Sequence, residues 1–170
     1  RVTSIYDSAF QGCTALETVT CPIIHNIGHS AFADCSALKE FTFPKTLKSL
    51  NGYVFSNCVS LSRIEIPKSV TEIGYGVFNG CHGLTAAYIY ATILSLPERM
   101  FYKCDNLLYL ELPEKLKTVE NDAFDYVHAL LVLKLNSTST TPLTGEGLDG
   151  LQRFRIDLLV DKTVEAVYKN

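Results

Sequence analysis

Apolar positions recur along this chain with a nearly constant period. A phenylalanine stands at the same place in six successive units, with one step of 22 residues and four of 23: Phe10, Phe32, Phe55, Phe78, Phe101 and Phe124. A fixed period of this length indicates one short supersecondary unit that is copied along an axis and buries its apolar edge against the next copy. The pattern therefore predicts a solenoid.

Each unit contains two different apolar spacings. In the fourth unit Phe78, Cys81 and Leu84 lie three apart, which keeps one edge facing inward through a tight helical or 3₁₀ turn. Ala87 and Ile89 then lie two apart, as in a half-buried strand. Four units end this strand with a proline, which has no N–H for a sheet ladder: Pro22, Pro44, Pro67 and Pro113. Strands repeated in this way predict one parallel sheet.

The phrase A-F-x-x-C-x-x-L, in which V or M sometimes replaces A, precedes two inward strand residues in successive units. With its following proline, this phrase resembles the BspA-type leucine-rich repeat of bacterial surface proteins over about residues 2 to 135. Tyr90 and Asn136 depart from it by replacing the proline, and Val127 replaces the cysteine. The resemblance implies an α/β solenoid of about six 23-residue leucine-rich coils, with a parallel sheet on one side, tight turns or short strands on the other, and a C-terminal cap.

The rhythm weakens beyond the sixth unit. We assign residues 1–136 to the solenoid and residues 137–170 to a loop, a degenerate last strand and a cap of the same domain. The apolar spacing returns once and predicts the seventh strand, at Leu148, Leu151, Phe154 and Ile156. Residues 158–160 are expected to be extended, and residues 162–169 to form a short helix.

Composition fits one elongated domain with a continuous core, since 47% of the 170 residues are hydrophobic and 19% are charged. A net charge of −3 argues against a phosphate-binding surface, so nucleic acid is not an expected partner. No apolar run approaches the roughly 18 to 20 residues that span a bilayer, and no membrane insertion is expected. Because Val2 and Ile5 match the middle of a unit, we expect a trimmed piece of a longer protein.

Five of the six cysteines hold one place in successive units: Cys13, Cys35, Cys58, Cys81 and Cys104. A metal or redox array is one interpretation, but such sites use paired ligands such as C-x₂-C, whereas here each unit has one cysteine and no histidine at fixed spacing. Neighbouring strands about 4.8 Å apart would bring the cysteines within disulfide range, but parallel Cβ vectors disfavour a bond. We expect reduced core thiols, and the same for Cys21 at an inward strand position.

The sequence offers no recognisable catalytic machinery. A nucleophile elbow, a P-loop and a dinucleotide fingerprint are all missing from its motifs. The four histidines share no ligand spacing and are expected at the surface: His25, His29, His82 and His128. We therefore predict no enzyme and no cofactor, and assign no catalytic, cofactor-binding or metal-ligating residue.

The outward positions of the predicted sheet change character along the axis. Units one to three carry polar and charged residues there, whereas units four to six carry an apolar and aromatic set. These are the candidate partner-binding residues: Ala86, Tyr88, Tyr90, Tyr109 and Val132. Tyrosine suits an interface because it combines a large contact area with a polar tip. The alternative is that the C-terminal loop folds over this patch, because large exposed apolar patches are unusual.

The resemblance implies a non-catalytic module of a bacterial cell-surface or secreted protein that binds a protein or a glycan. It also implies an extracellular or cell-surface location. A passive structural spacer that carries other domains is the alternative. The outward residues vary between units, which counts against a spacer of identical coils.

Overall fold

Each unit forms one coil, and the coils stack in the order of the chain. The computed structural model describes residues 2–136, 142–149 and 151, and the backbone of residues 157–160. Each coil adds one short strand: β1 (Ser4–Ile5), β3 (Asn26–Ile27), β5 (Ser49–Leu50), β7 (Glu72–Ile73), β9 (Ser95–Leu96) and β11 (Thr118–Val119). Each coil also adds a main strand, and one more follows the sixth coil: β2 (Thr18–Thr20), β4 (Glu40–Thr42), β6 (Arg63–Ile66), β8 (Ala86–Ile89), β10 (Tyr109–Leu112), β12 (Val132–Leu135) and β13 (Asp157–Val160).

The main strands confirm the predicted parallel pairing and alternation, but they form two hydrogen-bonded sheets, β2 with β4 and β6 to β13, rather than one. In β6, Ile64 and Ile66 are buried, while Arg63 and Glu65 point to solvent. Ile64 pairs with Ala87 of β8, and the same register continues through β10 and β12. One face of the sheet therefore covers the core, and the other presents two side chains per coil to solvent.

Phenylalanine rings from successive coils form one stacked column, as predicted. Adjacent centroids lie 5.2, 5.5, 5.7, 5.8 and 6.2 Å apart from Phe10 to Phe124, with interplanar angles of 11° or less. The Phe78 ring is fully buried, whereas Phe10 is 41% exposed because its coil has a neighbour on one side only. Along the column from Phe10 to Phe101, each phenylalanine N–H donates to a carbonyl of the next coil, with N···O distances of 2.8 to 3.0 Å.

The α/β description is wrong, because the coils carry almost no helix. Among the described residues the helical element is a single 3₁₀ turn, Glu146–Leu148. Two residues per coil, one two positions before the phenylalanine and one two positions after it, have φ between 53° and 73°: Ser8, Gly12, Ser30, Asp34, Tyr53, Asn57, Gly76, Gly80, Arg99, Lys103, Asp122 and Tyr126. A residue in the left-handed conformation ends a right-handed helical turn. Only three residues lie between the two left-handed positions of each coil, which is too few for an α-helix.

Strand pairing is interrupted at one point among the main strands and at one point among the short strands. Main strands β4 and β6 belong to different sheets, and Phe41 and Phe43 lie at this gap. Their large rings fill the two inward positions of β4 and pack against Phe55 at 4.8 and 5.6 Å. Short strands β7 and β9 also do not pair, because Pro97 stands where Gly74 donates its N–H to the preceding coil.

The chain beyond the sixth coil is described in part. Strand β13 pairs with β12 in parallel, which confirms that residues 158–160 are extended, but it lies later in the chain than the apolar spacing predicts. Leu143, Leu148 and Leu151 pack on the core. The predicted positions Phe154 and Ile156 and the helix at 162–169 lie outside the described residues, so the cap and the domain boundary stay predictions.

Replacement of Phe78 by alanine should lower the free energy of unfolding by about 3 to 5 kcal/mol, because it leaves a cavity between two coils. Urea denaturation followed by circular dichroism measures the change. Phe10→Ala is the matched control and should cost less than half as much, since this ring is partly exposed and stacks on one neighbour. Equal losses from the two variants would contradict the packed column.

Candidate binding surface and cleft

The repeated cysteines hydrogen bond to the backbone of neighbouring coils. The thiols of Cys35, Cys58, Cys81 and Cys104 each donate to the carbonyl of the phenylalanine in the preceding coil, with an Sγ···O distance of 3.1 Å. Burial raises the pKa of each of these four thiols and keeps the proton in place. All six cysteines are free. The prediction of reduced core thiols is confirmed for these four.

Two cysteines differ from the predicted core position. Cys13, in the first coil that the structure describes, is exposed. Cys21, which directly follows β2 in the first coil, is half-buried and packs on the core. Within the described part of the chain, no three histidine, cysteine or acidic side chains converge in a way that would hold a metal ion.

The histidines contact partners along the turns. His29 packs edge-on against Tyr53 and also lies near Tyr75, with centroids 5.8 and 6.1 Å apart. His82 Nδ1 lies 2.6 Å from Asp105 Oδ1 in a neighbouring coil, with both side chains about half exposed. These contacts join neighbouring coils, and the His29–Tyr75 contact joins coil two to coil four.

The five candidate partner-binding residues share the solvent face of the main sheet, and all are half-buried. The register places Ala86, Tyr109 and Val132 in one row across β8, β10 and β12. Tyr88 belongs to the next row, and Tyr90 follows the end of β8. The sequence therefore identified one contiguous face of three neighbouring coils.

Aromatic and cationic groups stack across this face. The Tyr88 and Tyr109 rings have centroids 5.1 Å apart and a tilt of 30°. The Arg63 guanidinium lies over the Tyr88 ring, 3.9 Å from the ring centroid. Stacking between coils orients both tyrosine rings and joins coil three to coil five. Arg63 was not among the candidates, because its position relative to Tyr88 depends on the strand register.

A buried carboxylate organises the face beside the tyrosines. Glu111 is only 5% exposed, although it occupies an outward position of β10. Lys134 Nζ and Asn136 Nδ2 donate to its Oε1 over 2.9 and 2.7 Å, and the Tyr109 hydroxyl donates to its Oε2 over 3.2 Å. Burial alone raises the pKa of Glu111, but these hydrogen bonds and the Lys134 charge outweigh burial and hold the pKa below its ordinary value.

A cleft of ≈370 Å³ opens at the ends of the main strands in coils three to six. Tyr90 and Asn136 line it on either side of coil five, with Glu111 between them. These two residues occupy the position that is proline in four other coils. The sequence showed both departures from the repeat, but it did not indicate that they line one cleft with Glu111.

Another cavity, of ≈720 Å³, lies at the first coil and is lined mainly by apolar residues such as Phe10, Val19 and Ile24. The same repeat positions are buried between coils in the rest of the stack. This cavity is therefore the uncovered side of a coil. The cleft beside Tyr90 differs because polar groups line it.

A family model described as a BspA type leucine rich repeat region matches six copies over residues 3–131. The chain belongs to the BspA-type leucine-rich repeat family. The match confirms the resemblance that the repeated phrase predicted. Within the described residues of this BspA-type chain, no helix has the length and apolar character needed to cross a membrane. Among curated proteins, none matches the sequence.

Solved structures of bacterial leucine-rich repeat proteins are similar to this BspA-type chain. A T. pallidum leucine-rich repeat protein is 28% identical with a TM-score of 0.70, and the match covers 79% of this chain and 65% of that one. A leucine-rich cell surface protein from Faecalibacterium prausnitzii is 21% identical, with a TM-score of 0.58 and coverage of 98% and 53%. The pneumococcal vaccine antigen PcpA is 19% identical, with a TM-score of 0.59 and coverage of 95% and 42%. At their low identity, the last two structures show only that the fold is shared. This chain spans less than two thirds of the length of each of the three proteins.

Replacement of Lys134 by methionine should lower the free energy of unfolding at pH 7 by about 1.5 kcal/mol, the lower range for a hydrogen bond to a charged group, because Lys134 is 40% exposed and water screens the pair. The folded-state pKa of Glu111 is lowered, so its ionised form adds stability at neutral pH that is lost as the pH falls through that pKa. The difference between variant and wild type should therefore shrink below about pH 4.

Urea titrations at several pH values measure this difference. Lys117→Met is the control, since Lys117 has no acidic partner among the described residues, and it should change stability little at any pH. A Lys134→Met loss that stays constant down to pH 3 would show that the carboxylate is not the cause.

The rate of reaction with a thiol reagent should differ among the cysteines of this BspA-type chain. We expect Cys13 to react rapidly with Ellman's reagent in the native protein and Cys21 to react more slowly, because one is exposed and the other half-buried. The four buried thiols should react only after unfolding in guanidinium. Cys13→Ala should remove the rapid phase, and rapid reaction of the buried thiols would contradict their role in the stack.

Proposed function

We propose that this chain is a non-catalytic binding module that docks a protein or a glycan on the outward main-sheet face of coils four to six. The observation that carries the proposal is the arrangement of Tyr88 and Tyr109, which stack on each other and on Arg63 while remaining half exposed. Tyrosine and arginine are the residue types that dominate binding interfaces. Their contacts hold them in place before a ligand arrives, which reduces the entropy lost on binding.

The first three coils support the proposal by contrast. Their outward positions include Thr18, Thr20, Glu40 and Thr42, which are exposed and lie outside any aromatic stack. The same fold thus presents two different surfaces along one axis. Since the core positions repeat in every coil, the difference in outward residues does not serve the core.

A cover formed by the C-terminal segment is the competing explanation for the aromatic residues. The loop residues 137–141 lie outside the described residues. The described residues 142–149 lie on the short-strand side, where Thr144 bridges to Thr118 of β11 and Leu143 and Leu148 pack on the core. This placement supports an accessible tyrosine face.

A passive spacer remains the second candidate function. The continuous phenylalanine column favours it, since a stack joined at every coil holds its ends at a fixed separation. The stacked tyrosines favour binding instead, because a spacer does not need an oriented aromatic pair. We therefore place binding first.

Catalysis is not part of the proposal. The buried carboxylate Glu111 accepts hydrogen bonds from Lys134, Asn136 and Tyr109, so both of its oxygens are occupied. Such a group is suited to positioning neighbours. Membership of a family of leucine-rich repeat proteins supports a binding role without identifying a ligand.

A location at the bacterial cell surface or outside the cell completes the proposal. One similar structure is a cell surface protein and another is a vaccine antigen. Four of the free cysteines are buried, and their thiols are engaged with backbone carbonyls, which protects them where oxidants are present. An exposed thiol at Cys13 is the exception.

The double variant Tyr88→Ser/Tyr109→Ser should lose ligand binding by tenfold or more, because it removes the aromatic contact area, while its thermal melt stays close to that of the wild type. The assay screens the immobilised chain against purified extracellular-matrix and serum proteins and against a glycan array. Tyr75→Ser/Tyr126→Ser is the matched control, since these tyrosines are 48% and 52% exposed on the turns. Equal binding by both double variants, or unfolding of the first, would contradict the proposal.

A further inference from the structure

We propose that the cleft beside Tyr90 is a subsite for an uncharged sugar unit of a glycan. The inference rests on the proposed function and gives the ligand of that face a chemical class. It goes beyond the stacked tyrosines, because the cleft lies at the ends of the strands and its groups do not belong to the Tyr88 and Tyr109 stack.

Departures from the repeat form this cleft. Prolines in four coils close the main strands, but Tyr90 and Asn136 take that place in coils four and six. The two coils flank coil five, so the substitutions face each other across it. Asn136 also donates to Glu111 Oε1 and to the Leu112 carbonyl, which holds its side chain against the floor of the cleft. Substitutions that break a repeat at two separate points and meet in space indicate a local role.

Polar groups without a protein partner point into this region. Among the described residues, nothing hydrogen bonds to the Tyr90 hydroxyl, and no ion pair engages Lys68, Glu114 or Lys115 at the rim. Asn136 uses its amide nitrogen for Glu111 and leaves its Oδ1 as an acceptor. The site thus combines donors and acceptors with one aromatic ring, as ligand sites with a few convergent polar groups do.

Charges of both signs at the rim favour an uncharged ligand over an ion of one sign. Glu111 is already paired with Lys134, so the charges left to a ligand are those of Lys68, Lys115 and Glu114. A ligand with many hydroxyl groups can donate to the Glu114 carboxylate and to Asn136 Oδ1 and accept from the two ammonium groups. The flat Tyr90 ring suits the apolar face of a sugar ring.

The size of the cleft favours a small unit over a folded protein. Its volume of ≈370 Å³ lies within the range of roughly 300 to 1,000 Å³ found for small-molecule sites. A stable protein partner covers about 800 Å² on each side, far more than these few residues present. The bound unit is therefore one sugar of a chain, the rest of which extends over the neighbouring coils.

A glycan array with neutral and acidic oligosaccharides, followed by titration of each hit in saturation-transfer NMR, tests the inference. The wild-type chain should bind neutral oligosaccharides. Tyr90→Ala should weaken this binding about tenfold or more, which corresponds to ~1.4 kcal/mol. Tyr90→Phe should weaken it less, because the ring remains and only the hydroxyl is lost. Tyr88→Ala is the control outside the cleft and should change the affinity less than Tyr90→Ala.

Circular dichroism and thermal melts show whether each variant is folded, and Tyr90→Phe keeps the test valid if Tyr90→Ala unfolds. Three results would overturn the inference: no neutral oligosaccharide bound, binding confined to acidic ones, or equal affinity in the wild type and both Tyr90 variants.

Failure of the inference and failure of the proposed function are distinguishable. Loss of every saccharide signal, with protein binding that still depends on Tyr88 and Tyr109, would reject the sugar subsite and leave the docking face. Saccharide binding that depends on Tyr90 but not on Tyr88 or Tyr109 would support the subsite and reject the stacked tyrosines as the docking site.

Discussion

Contact between phenylalanine rings of successive coils is the interaction on which the rest of the structure depends. The rings lie nearly parallel and exclude water, while the phenylalanine N–H groups from Phe10 to Phe101 donate to carbonyls of the next coil. This contact fixes the offset between coils. Once the offset is fixed, the main strands meet in register, and each buried thiol reaches the phenylalanine carbonyl of the coil before it. The column therefore sets both the sheet and the positions of its outward side chains.

Periodicity was sufficient to predict the coils, the ring column and the parallel sheet, because each depends on residue types that recur in every unit. The helix-poor turns were not predictable in the same way. Left-handed positions are held by Tyr53, Arg99 and Lys103 as well as by glycine, and side chains of these types carry no signal for that conformation. Cys13 fits the repeat phrase as well as the buried cysteines do, so the phrase does not express its exposure.

The candidate site was predictable only in part, because its residues were identified one strand at a time. Tyr88 and Tyr109 stood out as outward aromatics, but the burial of Glu111 depends on Lys134 and Asn136, which are 23 and 25 residues away. Those contacts follow from register. Places where the repeat is broken proved informative: Pro97 interrupts one sheet, and Asn136 lines the cleft. In a regular stack, the positions that depart from the repeat are those that distinguish one coil from another.

The register of the main strands fixes the spacing of the surface that they present. Ala86, Tyr109 and Val132 lie in one row across β8, β10 and β12, and neighbouring strands of a sheet lie about 4.8 Å apart. A ligand that runs along the axis of the stack therefore meets one new side chain of this row at each coil. Each added coil extends the row by one such step.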